Sequence, residues 1–241
     1  MNSNVQYAVS VVQQFIPYGA ELAALSRHGG MPAVLFADID YDFNVELLAL
    51  YRYQGEQSLI VLKNNGGHWR MFAHADGKGV YVADVSAAPV ARAGQNSILI
   101  GWQHEDGEVE LDILHWTGAG LKRIVPDGIA YDWLEIEDMP AANGPDGKCE
   151  LALWLQDSEQ SYRIETYRCE ESGGLVPAAD VHPYYFSKVA YYYEQLAHQQ
   201  PNVPLYRSVL DDALQRAGGS GADSDPAPAP EPAAAFAPEG D

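Results

Sequence analysis

The chain contains an internal repeat of about 50 residues, and this repeat limits its possible folds more than any other feature. The tripeptide Leu-Ala-Leu occurs at 48–50 and again 103 residues later at 151–153. Each copy is followed, eight residues on, by Glu-Gln-Ser. A related turn, Asp106-Gly107-Glu108, lies about halfway between the two copies. A repeat of this period is one supersecondary unit that buries its apolar face only against its neighbours.

Each copy contains alternating or β-branched runs separated by Gly, Asp and Asn, which predicts strands joined by tight turns. Hairpin turns are predicted at Gln54-Gly55, Asp106-Gly107 and Asp157-Ser158. We therefore predict three four-stranded antiparallel units that resemble propeller blades. These units cover about residues 20–74, 75–126 and 127–178, within a β domain at 20–178.

Helical periodicity occurs at the two ends of the chain. Residues 1–19 form a short amphipathic helix and a lead-in that contains Pro17. Residues 179–217 return to a 3.6 period, and Pro183 and Pro204 begin two helices that form an αα-hairpin packed on the β domain. The predicted fold class is mainly β with helical ends.

Charge and composition exclude several classes of partner. The chain has 34 acidic and 14 basic residues, for a formal net charge of -20. Nucleic acid and anionic lipid are poor partners, because both attract basic patches. No apolar run reaches the ~18 residues that indicate a transmembrane helix. Residues 218–241 are acidic and rich in Pro and Ala, which predicts a disordered tail.

The segment at residues 38–46, which we call the acidic loop, is the most specific local signal. Asp38, Asp40, Asp42 and Glu46 stand at its positions 1, 3, 5 and 9, between two predicted strands. Oxygen ligands with this spacing can surround one hard cation, and a flexible carboxylate loop suits Ca²⁺, which takes six to eight oxygens. The alternative is a solvated acidic turn without a metal.

The acidic loop and the apolar strand after it resemble the FG-GAP (VCBS-type) repeat of integrin-α-like β-propellers, which carries Asp-x-Asp-Gly-Asp-Gly-x-x-Asp/Glu. The resemblance spans all three copies, and it is closest to small FG-GAP-like proteins of Gram-positive bacteria whose repeats are followed by helices. It implies that the four acidic side chains of the loop are cation ligands. Tyr41 and Phe43 replace the two glycines that adopt positive φ, so we expect a remodelled loop with weak calcium affinity.

The other two copies depart further from this pattern. The middle copy keeps Asp84 but has Ser86 and Ala88 where further carboxylates would stand, so we expect no cation there. In the third copy, Glu135 and Glu137 begin a longer and less regular acidic loop. The sequence therefore predicts a metal site in the first copy only.

Motifs typical of enzymes are absent from the sequence, including Gly-x-Ser-x-Gly, His-Glu-x-x-His and Cys-x-x-Cys. The acid pairs Glu108 with Glu110 and Asp132 with Glu135 could serve a glycosidase. A chain with 34 acidic residues contains such pairs by chance. Its two cysteines could form a disulfide or remain free, and we expect two free thiols on neighbouring strands.

These observations favour a non-catalytic FG-GAP-like module for binding or scaffolding an unknown protein or carbohydrate ligand, with weakly bound calcium. The alternative is a carbohydrate-active enzyme that uses loop carboxylates. The resemblance implies an extracytoplasmic protein, yet the N-terminus lacks the features of a signal peptide, which indicates the cytoplasm if Met1 is the true start.

Three blades are fewer than the four to eight of a typical closed propeller. Sheet edges in an open array would promote aggregation unless something protects them. We expect the terminal helices to cover these edges, and oligomerisation through open edges is the alternative.

Overall fold

The computed structural model describes residues 3–158, 161–170 and 173–218. This part of the chain is mainly β and contains three antiparallel sheets with helices at both ends, as the sequence predicts. All of the predicted disordered tail after Gly218 lies outside the described residues. Within the described ranges, no helix is both long and apolar enough to cross a membrane.

The first sheet has one strand more than predicted. Its strands are β1 (Glu21–Leu22), β2 (Val34–Ala37), β3 (Glu46–Tyr53), β4 (Glu56–Asn65) and β5 (His68–Asp76). Strand β3 pairs with β1, β2 and β4, and β5 pairs with β4. The additional strand is β1, whose two residues pair with the end of β3 through Glu21 and Arg52.

The second and third sheets each have four strands, as predicted. The second contains β6 (Tyr81–Arg92), β7 (Gln95–Gln103), β8 (Val109–Trp116) and β9 (Leu121–Arg123). The third contains β10 (Trp133–Glu137), β11 (Glu150–Ser158), β12 (Ser161–Cys169) and β13 (Leu175–Pro177). In both sheets every strand pairs with the next one along the chain.

Two apolar cores join the three sheets in series. On β7, Ile98 and Trp102 pack with Leu48 of the first sheet. The intervening Leu99 packs in a second core with Leu151 of the third sheet. Because neighbouring residues of a strand point to opposite faces, a strand buried on both sides has a continuous apolar sequence.

The helices lie on the faces of the two outer sheets, whereas we expected them to cover strand edges. Helix α1 (Ser3–Val12) packs on β3 and β4 of the first sheet. A short 3₁₀ turn precedes α2 (His182–Gln199) and α3 (Pro204–Arg216), which pack on the third sheet. The outer sheets each have an apolar face that no third neighbouring sheet covers, and burial of this face explains where the helices lie.

Two of the three predicted hairpin turns are confirmed, and the third is wrong. The Gln54-Gly55 turn joins β3 to β4 with φ values of 53° and 92°, which suit a two-residue hairpin turn. Asp106-Gly107 lies between β7 and β8. Asp157-Ser158 belongs instead to β11, where Ser158 pairs with Ser161. A register irregularity just before Ser158 lengthens the strand past the predicted turn.

Candidate functional site

The acidic loop connects β2 to β3 and is folded around its first carboxylate. Asp38 accepts backbone hydrogen bonds from Tyr41 and Phe43, each at 2.8 Å. Asp42 accepts one from the backbone of Asn44 at 2.9 Å. Side-chain oxygens therefore satisfy backbone amides that no strand pairs.

Two bulky residues of the loop adopt the left-handed backbone conformation that favours glycine. Tyr41 has a φ of 62° and Phe43 a φ of 66°. These are the positions of the two glycines in the repeat that the loop resembles, so the glycine-type backbone is kept at both. This conformation costs a non-glycine residue roughly 1–2 kcal/mol. The two rings contact each other, with centroids 5.4 Å apart.

The structure brings the four predicted ligands together. Asp38, Asp40 and Asp42 offer oxygens that lie within 4.8 Å of one another. Glu46 begins β3, and its side chain is fully buried. Its Oε2 accepts a hydrogen bond from the backbone of Ile39 at 3.0 Å, which ties the start of the loop to its end.

Sequence reasoning missed the residue at the centre of this cluster, Lys63. Its Nζ lies 2.5 Å from Asp40 Oδ2, 2.8 Å from Asp42 Oδ2 and 3.0 Å from Glu46 Oε1. The Lys63 side chain is only 8% exposed, and its ammonium lies 5.0 Å from the ring centroid of Phe72. The acidic loop is therefore bound to a cation that the protein itself supplies.

Strand register places Lys63 there. Tyr53 pairs with Glu56 across the Gln54-Gly55 turn, and the register continues to Leu47 and Leu62 without interruption. The next residues along each strand are Glu46 and Lys63, which therefore face each other. Counting back from the predicted turn could have found this pair in the sequence.

Burial and the contacts with Lys63 shift the pKa values of this cluster in different directions. Burial would lower the pKa of Lys63, but its contacts with Asp40, Asp42 and Glu46 outweigh burial and raise the pKa. The hydrogen bond to Lys63 lowers the pKa of Asp42. Burial raises the pKa of Glu46, which opposes the contacts that Glu46 makes with Ile39 and Lys63. At neutral pH, Lys63 is an ammonium and Asp42 a carboxylate.

The donor set of the loop suits a hard cation, since carboxylate oxygens are the ligands that calcium prefers. The Lys63 ammonium, however, contacts three of the four carboxylates that calcium would use. A calcium ion at 2.3–2.6 Å from those oxygens and an ammonium at 2.5–3.0 Å cannot share them. The residues therefore do not fit calcium while Lys63 is in place.

The third sheet repeats part of this arrangement. Glu150 begins β11, and its Oε2 accepts a hydrogen bond from the backbone of Met139 at 3.0 Å. Its Oε1 accepts one from Arg168 Nε on β12 at 2.8 Å. Asp138 accepts backbone hydrogen bonds from Asp146 and Gly147. The first acid of the loop and the glutamate that begins the next strand thus have the same roles in both sheets.

The two glutamates that we singled out in the third copy lie elsewhere. Glu137 accepts a hydrogen bond from Lys188 on α2 at 2.6 Å. Burial raises the pKa of Glu135, which lies close to Lys188 and Tyr185. Both glutamates therefore connect the third sheet to the helical hairpin.

The middle sheet has a neutral residue where the others have glutamate. Gln95 begins β7, and its Nε2 donates to the backbone oxygens of Ile39 and Trp116, each at 3.0 Å. Asp84, which the middle copy shares with the pattern, instead contacts Arg27 and Tyr131. It connects the first repeat to the third.

The acids of the two predicted glycosidase pairs have different surroundings. Glu110 is buried and lies 2.8 Å from Lys78 Nζ, whereas Glu108 is exposed in the turn before β8. Asp132 accepts the backbone hydrogen bond of Gln156 at 2.6 Å. Glu110 and Asp132 therefore each have a structural contact of their own.

Both cysteines are free, as we expected. Burial raises the pKa of Cys149 to about 11 and that of Cys169 to about 12. Thiols with such pKa values are poor nucleophiles at neutral pH, because the thiolate is the reactive form.

No protein-family model matches the chain, and no curated protein matches it either. The resemblance to FG-GAP repeats therefore rests on the acidic loop and on the spacing of the three copies.

Proposed function

We propose that the chain is a non-catalytic FG-GAP-like repeat module that acts by binding or scaffolding. The observation that carries this proposal is the shared role of Glu46 and Glu150. Each begins the strand that follows the acidic loop of its repeat, β3 or β11, accepts a backbone hydrogen bond from that loop, and contacts a cation on the next strand. Carboxylates used in this way hold the strands of one repeat together and are not free for chemistry.

The sheet arrangement supports blade-like repeats. The sheets follow chain order and share two apolar cores, so the middle one is buried on both faces. Helix α1 and the α2–α3 hairpin cover the two outer faces, as terminal caps do in other stacked repeats.

Calcium enters this proposal as a weak competitor of Lys63. An ion can bind the acidic loop only by displacing the ammonium from Asp40, Asp42 and Glu46. That displacement lowers the affinity below what the carboxylates alone would give.

The enzymatic alternative needs two carboxylates about 5–9.5 Å apart on either side of a sugar bond. Glu110 is the buried member of the predicted pairs, and Lys78 and His104 already bind it. We therefore favour binding, with a protein or carbohydrate as ligand. The resemblance to FG-GAP repeats implies an extracytoplasmic location, and the cytoplasm is the alternative if Met1 is the true start.

The test compares binding with turnover in the full chain. We expect wild type to be captured by a glycan array or by cross-linking to envelope proteins of the source cells, and to hydrolyse none of a panel of polysaccharides. Glu110→Gln should bind equally well. Hydrolysis by wild type that disappears in Glu110→Gln would overturn the proposal. Light scattering tests the alternative of oligomerisation through open sheet edges, and cell fractionation tests the location.

A further inference from the structure

We propose that Lys63 is the built-in cation of the acidic loop, so that the first repeat is held without metal and becomes a calcium site only when this ammonium is removed. This inference is independent of the ligand that the module binds. The inference is that the Lys63 side chain takes the place of a calcium ion in the acidic loop.

The contacts of Lys63 are those of a bound cation rather than of a surface lysine. Its Nζ meets oxygens of Asp40, Asp42 and Glu46 at 2.5–3.0 Å, and these three residues come from both halves of the loop. A surface lysine pairs with one exposed acid and contributes little. Here one ammonium contacts three carboxylates and offsets part of the repulsion among them.

The buried oxygens depend on this charge. Glu46 is fully buried, and its Oε1 has no well-aligned hydrogen-bond donor among the described residues. The same holds for Asp40 Oδ1. A buried carboxylate oxygen without a donor is costly unless a counter-charge lies close by, and Lys63 is the cation that contacts both residues.

The other repeats show that acid and cation occur together. In the third repeat β11 begins with Glu150, and the next strand supplies Arg168, at 2.8 Å. In the middle repeat β7 begins with the neutral Gln95, and backbone carbonyls satisfy the side chain instead. Lys63 therefore matches the charge of Glu46 in the way that Arg168 matches Glu150.

The experiment measures calcium binding and melting temperature of the full chain, with Ca²⁺ alone as the probe and with chelator as reference. The test variant is Lys63→Met, which keeps the unbranched stem of the side chain and removes the ammonium with its charge. We expect wild type to melt at the same temperature in both conditions. We expect Lys63→Met to melt lower than wild type in chelator and to rise by about 3–6 °C at a tenfold calcium excess over Kd. By titration calorimetry it should bind calcium roughly tenfold more tightly than wild type, or better.

The matched control is Lys78→Met. Lys78 is half-buried and contacts Glu110 and Asp127 at 2.8 and 2.5 Å, but those acids do not belong to a ligand loop. This variant should also lose melting temperature, and calcium should not restore it. Adding Asp38→Asn to Lys63→Met should remove the calcium response, because Asp38 faces the same cluster.

Two results would overturn the proposal: calcium stabilising wild type as much as Lys63→Met, or a folded Lys63→Met that binds calcium no better than wild type. If Lys63→Met does not fold, acetylation of wild-type lysines by acetic anhydride decides. Lys63 should stay unreactive with and without calcium, while the exposed Lys122 reacts in both. If Lys63 is acetylated as readily as Lys122 when calcium is added, calcium has displaced the Lys63 ammonium from the acidic loop, and the proposal is wrong.

Discussion

The first and middle repeats differ at one buried position, the first residue of β3 and of β7, which is charged in the first repeat and neutral in the middle one. Glu46 begins β3 of the first repeat and contacts the Lys63 ammonium at 3.0 Å. Gln95 begins the corresponding strand of the middle repeat and donates to two backbone oxygens. A carboxylate at this place needs a cation, whereas an amide needs only carbonyl acceptors.

The third repeat lies between these two cases. Glu150 is almost fully buried, but its partner Arg168 is 27% exposed, against 8% for Lys63. Arg168 also contacts the half-exposed Asp180, so part of its charge is used at the surface. Water screens such a pair more than a buried one, and its loss should cost less.

The largest effect is expected from Lys63→Met. It leaves Asp40, Asp42 and Glu46 without their common cation. Breaking a buried pair by removing one partner costs about 3–5 kcal/mol, and we expect a loss of this size in the free energy of unfolding. Urea unfolding in chelator measures it. Lys122→Met, at an exposed position of β9, is the control and should stay within ~0.5 kcal/mol of wild type. A loss under about 1 kcal/mol for Lys63→Met would mean that the Lys63 contacts stabilise the protein no more than an exposed ion pair does.

Gln95→Glu gives the middle repeat the buried glutamate of the first repeat but supplies no cation to match it. The new carboxylate would face the carbonyls of Ile39 and Trp116, and we expect a loss of about 3 kcal/mol at neutral pH. Its folded pKa would exceed its unfolded pKa, so the destabilisation should decrease as the pH falls through the folded value. Urea unfolding from pH 7 to pH 4 checks both points, with the exposed Gln13→Glu as control. A pH-independent loss would contradict this explanation.

Arg168→Met should destabilise the third repeat less than Lys63→Met destabilises the first. Water can approach the exposed part of the Glu150–Arg168 pair, whereas Lys63 is buried. We expect a loss of about 2 kcal/mol by urea unfolding. Arg52→Met, which breaks the exposed pair with Glu21, is the control and should cost under ~1 kcal/mol. Equal losses in the free energy of unfolding for Arg168→Met and Arg52→Met would contradict this prediction, because the Glu150–Arg168 pair would then contribute no more than an exposed pair.

Asp180→Asn should have the smallest effect. The hydrogen bond from Arg168 lowers the pKa of Asp180. A folded pKa below the unfolded one stabilises the protein above the unfolded value, and this stability is lost as the pH falls through the folded pKa. Asp180→Asn should therefore lose under ~1 kcal/mol near pH 7 and less below about pH 4. Acid unfolding curves measure the difference, and a loss that is greater in acid than at neutral pH would contradict it.

Much of the fold could be predicted because period and turn chemistry are local. The runs at 58–62 and 97–100 became strands of two sheets, and the Gln54-Gly55 turn was placed correctly. The turn at Asp157-Ser158 was misplaced, because a register irregularity depends on pairing across strands. The positions of the helices on sheet faces also follow from tertiary packing, which composition does not specify.

The candidate site was predicted only on its acidic side. Asp38, Asp40, Asp42 and Glu46 are close in sequence, and the structure brings them together. Lys63 lies on the next strand and enters the cluster through register, so a local motif could not reveal it. The combination of turn position and strand alternation does contain this information.

The coupling between Glu46 and Lys63 tests the central claim most directly, because that claim is that the buried acid is stable only with its cation. The measurement is a double-mutant cycle by urea unfolding in chelator, with Glu46→Gln, Lys63→Met and both together. The double variant imitates the neutral middle repeat, so its loss should be smaller than the sum of the single losses. We predict a coupling of at least about 2 kcal/mol. A coupling under ~0.5 kcal/mol, the range of independent sites, would contradict the account.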